Sequence, residues 1–358
     1  MLIESSPRSS AARTSPIPLE DLARARYDAR GIFVEGRRAE LAALREMGAR
    51  DPSLGRLYEG HFNGVLLVAL YGSDAQRARA QADVDAGRMF GVWNTQSDDE
   101  PLCITREGAR SRLSGAKTWC SGADRAARAL VTARDAQGAV QMCLVPMDAV
   151  PVTVDASDWK PLGMEASNSY RVCFDGVVLD DDALIGVPGQ YERAPFFYGG
   201  AIRFVAVHAG IVERLAHETF AFIAKGGRAG DPHQLVRAGQ IQIAVHTARH
   251  WIDAGEAAWC EYDRSPNDAN AERVVTTADM ARLAVERAGL DVLELAVRSV
   301  GARGLLEPVP IARLVRDLTM YLRQPAPDAV MERVGKDALG AASARRISAI
   351  ASSMGSSG

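Results

Sequence analysis

The sequence predicts an α+β protein in three consecutive parts: a helical segment, a module of short strands, and a long helical bundle. Three observations carry this. Apolar residues recur at helical spacing from Leu19 to about Ala86. Short Val- and Leu-rich runs, separated by Gly, Asp and Pro, fill the stretch from Phe90 to about Leu179 in the manner of a small barrel or sandwich. From about Pro195 helical spacing returns in four long segments. At 358 residues the chain is long enough for more than one unit with a large buried core.

Each element has a local cause. Residues 1–16 and 351–358 hold little to bury and read as disordered. Leu19, Leu22 and Ala23 begin one amphipathic stretch, and Leu41, Leu44 and Met47 carry another. Asp51-Pro52-Ser53 reads as a helix start, with Asp51 as N-cap and Pro52 at the first helical position. A buried helix then runs through Phe62, Val65, Leu66 and Leu70 to Tyr71. Gly72-Ser73-Asp74 ends it, and a short polar helix follows from about Ala75. Strands are expected over 90–94, 111–119, 129–133, 140–145, 152–154 and 171–179, with a hairpin turn at Asp135-Ala136-Gln137-Gly138. Helices are expected at roughly 195–225, 232–262, 269–300 and 308–322. The third carries Met280, Leu283, Ala284, Arg287 and Ala288 along one face, and its apolar members suit a bundle seam.

Composition excludes several classes. A net charge of −3 gives no basic field for nucleic acid or an anionic membrane. The longest apolar run, Gly64–Tyr71, is too short to span a bilayer. The Ser-, Arg- and Pro-rich N-terminus lacks the apolar core of a secretory signal. Five scattered cysteines without a C-x-x-C pair read as reduced thiols of a cytoplasmic protein. No histidine spacing suggests a metal: His246 and His250 lie at i,i+4, but no Glu follows the first, so a half-buried helical pair is expected.

Residues 113–123, Leu-Ser-Gly-Ala-Lys-Thr-Trp-Cys-Ser-Gly-Ala, are the most informative stretch. Alone they read as a strand with a core Trp, closed by a Ser-Gly turn. Their setting adds more. Arg50-Asp51-Pro52-Ser53 and Tyr71-Gly72-Ser73-Asp74-Ala75-Gln76 precede them, as does Gly91-Val92-Trp93-Asn94-Thr95. Trp159 to Met164 with Ser167 and Ser169 follows, then Phe174-Asp175-Gly176-Val177-Val178, Leu184-Ile185-Gly186 and Arg316-Asp317. This order resembles the acyl-CoA dehydrogenase family from about Met47 to Leu339. The family reads G-x-K-x-W-[IC]-[ST] at residues 115–121, "ADPS" at the helix start and "YGSEEQ" at its end.

The resemblance implies an acyl-CoA dehydrogenase-like fold. A shortened N-terminal α-helical domain would span residues 17–88, a middle β-barrel domain 89–190 and a C-terminal four-helix bundle 191–350. It also implies FAD. Trp119 would pack on the isoalloxazine and the Ser121 hydroxyl would reach the N5 edge, with Cys120 between them and Trp93, Asn94 and Thr95 on the first flavin-contacting strand. Arg228 and Gln240 match part of R-x-x-F-G…Q, which holds the pyrophosphate and adenosine of a neighbouring subunit's FAD. Gly301, Ala302 and Gly304 stand at the family's "GGNG" loop. The flavin would then lie at a subunit boundary, implying a homodimer or homotetramer. Arg203, near the bundle entrance, would contact a substrate phosphate. The implied partners are an acyl-CoA or carrier-bound acyl group and an electron-transfer flavoprotein.

The chain departs from the family where the chemistry is done. The T-E-P-x-A-G-S-D loop is replaced by Gln96-Ser97-Asp98-Asp99, and the Phe-Gly after Arg228 is missing. Dehydrogenation needs a carboxylate base within hydrogen-bond reach of the substrate α-carbon. The family's Glu falls near Pro325, and its alternative position falls at Ile202-Arg203-Phe204. Asp328 is the nearest carboxylate, a candidate base or a helix N-cap. Three readings stay open: FAD-dependent α,β-oxidation of an acyl thioester by hydride transfer to flavin N5, a flavin oxidase or monooxygenase-type tailoring enzyme, and a non-catalytic flavin- or acyl-binding subunit.

Overall fold

The computed structural model describes residues 17–323 and 326–340. The ends expected to be disordered, and Pro325, lie outside the described residues. Helices α1 (Leu19–Leu22), α2 (Arg37–Arg50), α3 (Pro52–Tyr71) and α4 (Asp74–Asp85) come first. Ten strands follow: β1 (Phe90–Trp93), β2 (Cys103–Glu107), β3 (Arg110–Ser114), β4 (Ala116–Cys120), β5 (Arg128–Arg134), β6 (Val140–Pro146), β7 (Thr153–Asp155), β8 (Tyr170–Cys173), β9 (Val178–Asp180) and β10 (Leu184–Ile185). Helices α5 (Ala201–Lys225), α6 (Pro232–Arg264), α7 (Asp268–Gly304) and α8 (Pro310–Tyr321) follow, and residues 327–340 are also helical.

The local signals act as read. The Asp51 carboxylate accepts from Leu54 N at 3.0 Å, and Pro52 opens α3. Ser73 and Gln76 form a reciprocal capping box at α4. Gly138 closes the β5–β6 hairpin at φ 82°. Three readings are corrected. The first amphipathic stretch is only four residues of helix: it ends at Leu22 in tight turns, Arg24 N on Asp21 O and Ala25 N on Leu22 O, and Asp28 then takes the amides of Arg30 and Ile32 into a further turn with Gly31 at φ 74°. The single strand expected over 111–119 is two, broken at Gly115, whose φ is 103°, and that expected over 171–179 is also two, broken at the turn that holds Gly176 at φ 78°. β2 is an additional strand, paired antiparallel with β3.

The strands form a seven-stranded sheet, in which β10-β6-β5-β2-β3-β9 are consecutive and β1 pairs with β5, and a three-stranded sheet β4-β8-β7. Bridges Gln96–Lys117 and Pro101–Ala116 tie β4 to the segment leaving β1. His61 fixes β1 against α3. Its Nδ1 accepts from Phe90 N at 3.1 Å, so Nε2 carries the proton towards Leu22 O at 3.0 Å. Burial pushes its pKa down to about 4, so the ring stays neutral in this role.

One buried apolar cluster runs through the helical, strand and bundle parts. α2 and α5 cross closely enough that a Cβ at Gly210 would stand 1.9 Å from the Arg45 carbonyl oxygen. Gly210→Ala should therefore force the helices apart and cost about 1–3 kcal/mol. Urea unfolding tests this, and an unshifted midpoint would mean that the crossing yields freely.

Candidate active site

Strand β4 sets the central feature. Period-2 alternation would put Lys117 and Trp119 on one face. The β4–β8 register shifts between Lys117 and Cys120, and Trp119 takes φ 57°, in the left-handed region. This bulge turns the indole out of the sheet, so that Trp119 is 57% exposed while Lys117 and Cys120 stay fully buried. A bulky residue held at positive φ stores strain of about 1–3 kcal/mol, a feature that clusters at ligand sites.

Trp119 lines a cavity of about 320 Å³ with Thr95, Ser121, Trp159, Ser169 and Tyr321. Trp159 meets it edge-on at 5.8 Å. The Ser121 hydroxyl lies 2.9 Å from that of Ser169, which lies 2.9 Å from that of Ser167. On the bundle side, Tyr321 is 2% exposed and its hydroxyl has no hydrogen-bond partner. Burial pushes this hydroxyl well above the ordinary range, with Glu59 adding to the effect and Arg56 opposing it. Asp317 joins the two sides: its carboxylate accepts from Met164 N at 2.6 Å, fixing the serine loop to α8. Gly163 lies so close to α8 that a Cβ there would stand 2.3 Å from the Arg316 carbonyl oxygen. The Arg316-Asp317 pair thus ties strand module to bundle.

A second cavity of about 460 Å³ lies between α3, the end of β1, α5 and α7. Asn94 lines it, whereas its neighbour Thr95 lines the first, so the chain leaving β1 divides the two. Lys117 holds that divide: its Nζ donates to Asn94 O at 3.0 Å and Thr132 Oγ1 at 2.9 Å, and Thr132 Oγ1 donates to Asn94 Oδ1 at 2.7 Å. Along α3 the walls are joined by an ion pair between Arg56 and Glu59. Asn63 donates to the other Glu59 oxygen and accepts from Arg203 Nε.

The expected site residues divide into groups. Thr95, Trp119 and Ser121 meet in the first cavity, whereas Asn94 lines the second. Trp93 and Cys120 turn their side chains into the core, where Trp93 packs near Phe174 and donates to Ser121 O at 3.0 Å. Only their backbones are left to face a ligand. Arg203 is 5% exposed inside the second cavity, so the structure places it away from an open entrance. Asp328 is exposed in the first turn of the last helix and lines neither cavity. Arg228 follows α5 and donates to Ser299 O at 3.1 Å, beside Arg303. Gln240 lines a groove between α6 and α7. Gly301 kinks α7 at φ 61°, next to exposed Ala302, while Gly304 is buried. Within one chain these five are not brought to the Trp119 cavity. His246 and His250 are exposed on α6 rather than half-buried. Among the described residues no cluster of His, Cys, Asp or Glu could hold a metal, and no helix is long and apolar enough to cross a membrane.

Arg56, Trp159 and Tyr321 were not legible as site residues. Arg56 and Glu59 do stand at i,i+3 on one helix, the one sequence signal for their pair. The first cavity suits a flavin ring: an exposed indole face, a hydroxyl pair and an unpartnered buried phenol converge on it.

No family model matches the chain. Dibenzothiophene monooxygenase of Rhodococcus erythropolis is 25% identical over 299 residues, 74% of this chain and 71% of that protein. FMN-bound TdsC from Paenibacillus sp. A11-2 superposes with a TM-score of 0.73 at 23% identity, over 83% of this chain and 82% of that one. Glutaryl-CoA dehydrogenase from Mycobacterium smegmatis superposes with a TM-score of 0.75 at 18% identity, over 90% of this chain and 87% of that one.

Proposed function

We propose that this chain, a divergent protein with the acyl-CoA dehydrogenase fold, is a flavin-dependent monooxygenase of a small molecule. One observation carries this choice over thioester dehydrogenation: among the described residues no free carboxylate faces the cavities. The two positions where the family keeps its base fall near Pro325 and within Ile202-Arg203-Phe204, and neither stretch holds an acid. The carboxylates in the second cavity, Glu59 and Asp279, are each held by an arginine, Arg56 and Arg333. An α-proton has no evident acceptor, whereas oxygen insertion needs none. The likeness to a dibenzothiophene monooxygenase supports the same reading.

A bound reduced flavin would supply two electrons to dioxygen, one oxygen atom going to the substrate and the other to water. Trp119 would carry the ring on its exposed face, while Ser121, oriented by Ser169, would hydrogen-bond its edge. The Tyr321 ring would close the bundle side of the same space, its hydroxyl buried and held protonated across the physiological range. The Asn94–Thr95 divide, braced by Lys117, would set the approach of substrate to flavin. Trp159, Met164 and Met320, which line the same cavity, would shield the ring from water.

The test is product analysis with labelled dioxygen and chemically reduced flavin. Incorporation of one labelled atom supports oxygenation. Anaerobic bleaching of the oxidised flavin by an acyl-CoA would support the dehydrogenase reading instead. Asp328→Asn should turn over like the parent, because its carboxylate is exposed; loss of turnover would restore its role as base.

FAD, rather than FMN, would need an adenosine site. The candidates Arg228, Gln240 and Gly301 to Gly304 lie away from Trp119 in the same chain, so they would serve a neighbour's cofactor. A homodimer or homotetramer is therefore expected with FAD bound. A monomer by light scattering that retains FAD would overturn that arrangement.

A further inference from the structure

The charged side chains on the wall of the second cavity are already engaged with one another. Asp279 accepts from two nitrogens of Arg333 at 2.9 and 3.0 Å, and Glu59 is held by Arg56 and Asn63. Arg203 donates to Asn63 and stands 3.8 Å from Glu40. Arg282 is drawn to Asp279 and lies 5.5 Å over the Phe204 ring, and it too has a partner. A charged ligand would have to break one of these pairs and leave a buried charge behind. An uncharged one leaves them all intact.

One polar group on this wall is uncommitted. Asn94, next after β1, is exposed and lines the cavity. Its Oδ1 accepts from Thr132 Oγ1 at 2.7 Å, and its main-chain oxygen accepts from Lys117 Nζ at 3.0 Å. Thr132 Oγ1 accepts in turn from Lys117 Nζ at 2.9 Å. Thr132 and Lys117 are fully buried, so this frame is held by packing on the inner side. The direction of the chain orients the amide, because the two ends of an Asn side chain are told apart by their partners. Oδ1 is committed inward. Nδ2 makes no hydrogen bond to a described residue and is not buried, so two N–H donors stay open.

The surroundings make that donor selective. Val92, Leu66, Leu67, Phe196 and Phe204 line the same cavity. In an apolar space an oriented N–H that has lost its water favours a molecule with an acceptor over one of the same shape without it. Thr95, the next residue, lines the first cavity, so the donor stands at the joint between the two.

We propose that Asn94 is the specificity-determining residue of the second cavity, its amide N–H donating to an acceptor atom of an uncharged ligand. Thr132 is the positioning residue that holds the amide in this sense. The inference rests on the monooxygenase reading only in calling this ligand the substrate. Binding is measured without turnover, so either can fail alone.

The experiment is equilibrium dialysis of the full chain, as purified, at pH 8 against quinoline, naphthalene and N-methylquinolinium. Quinoline and naphthalene share one shape and differ by a ring nitrogen that accepts a hydrogen bond, so the ratio of their affinities isolates the acceptor. Asn94→Leu should lower the quinoline-to-naphthalene affinity ratio by about three- to tenfold. Thr132→Val should lower it by about twofold or more, because the amide is then free to turn, while naphthalene binds as in the parent. Parent-like naphthalene binding separates a lost donor from a damaged cavity. N-Methylquinolinium, charged and without an acceptor, should bind the parent about tenfold or more weakly than quinoline. An affinity ratio unchanged by Asn94→Leu overturns the proposal, as does N-methylquinolinium binding as tightly as quinoline, or binding of none of the three. Should Asn94→Leu fail to fold, Asn94→Ala carries the same test.

Discussion

Trp119→Ala should weaken flavin binding by about 10- to 100-fold while leaving the fold almost as stable as before. The expectation follows from the bulge in β4. The indole is 57% exposed, so truncation uncovers little core, and the lost edge contact with Trp159 is worth about 1 kcal/mol. A flat ring stacked on that face would lose about 1–3 kcal/mol, and each 1.4 kcal/mol is tenfold in affinity. Titration of the purified variant with FMN and FAD, followed by flavin fluorescence, measures the first effect, and urea unfolding the second. Parent-like affinity would place the flavin away from Trp119. A large loss of stability would mean that the indole serves the core instead.

Lys117→Met should remove a pH-dependent burden from the strand module. Burial lowers the Lys117 pKa from the ordinary 10.5 to about 7, with Cys120 opposing and Arg134 adding. The direction follows from proton counting. Between about pH 7 and 10.5 the unfolded chain binds a proton at Lys117 that the folded chain does not, so stability rises with pH across that window. Below pH 7 the cost of charging the buried amine is present in full. At about 1.4 kcal/mol per pH unit, the parent should gain up to about 3 kcal/mol on the variant between pH 7 and 9. The variant also leaves Asn94 O and Thr132 without their donor, a loss of about 1 kcal/mol each that does not depend on pH. Urea unfolding of both proteins at pH 7 and 9 separates the two effects. A parent-to-variant difference that stays constant would show that Lys117 titrates near its ordinary value. The same substitution should loosen the Asn94–Thr95 divide, so it tests the joint between the cavities as well as stability.

The local grammar was legible to the residue at several places. Asp51 with Pro52 and the Asp135–Gly138 turn act as their spacing implies, because caps and turns are made by residues a few positions apart. Periodicity located the bundle helices: α6 begins at Pro232 as read, and α5 and α8 begin a few residues later than expected. Local reading failed at the first helix, which stops at Leu22, and at β2, where Ile104 is the one buried residue and no apolar alternation marks the strand.

The sequence by itself determined the order helix, strand, helix, the α+β class and the pairing of an indole with a serine hydroxyl on one strand. It also determined the absence of an acid at both expected base positions, since these are properties of neighbours along the chain. Only the tertiary structure decided which way those side chains face. Simple alternation would have sent Trp119 inward with Lys117, and one shift of register sends it out. The two cavities, the Arg56–Glu59–Asn63–Arg203 chain and the unpartnered Tyr321 hydroxyl are likewise products of α3, α5 and α8 closing on the strands. So is the separation of Arg228 and Gln240 from Trp119. Each depends on contacts between residues far apart in sequence, whose geometry is set by packing and backbone strain, and no local spacing encodes it.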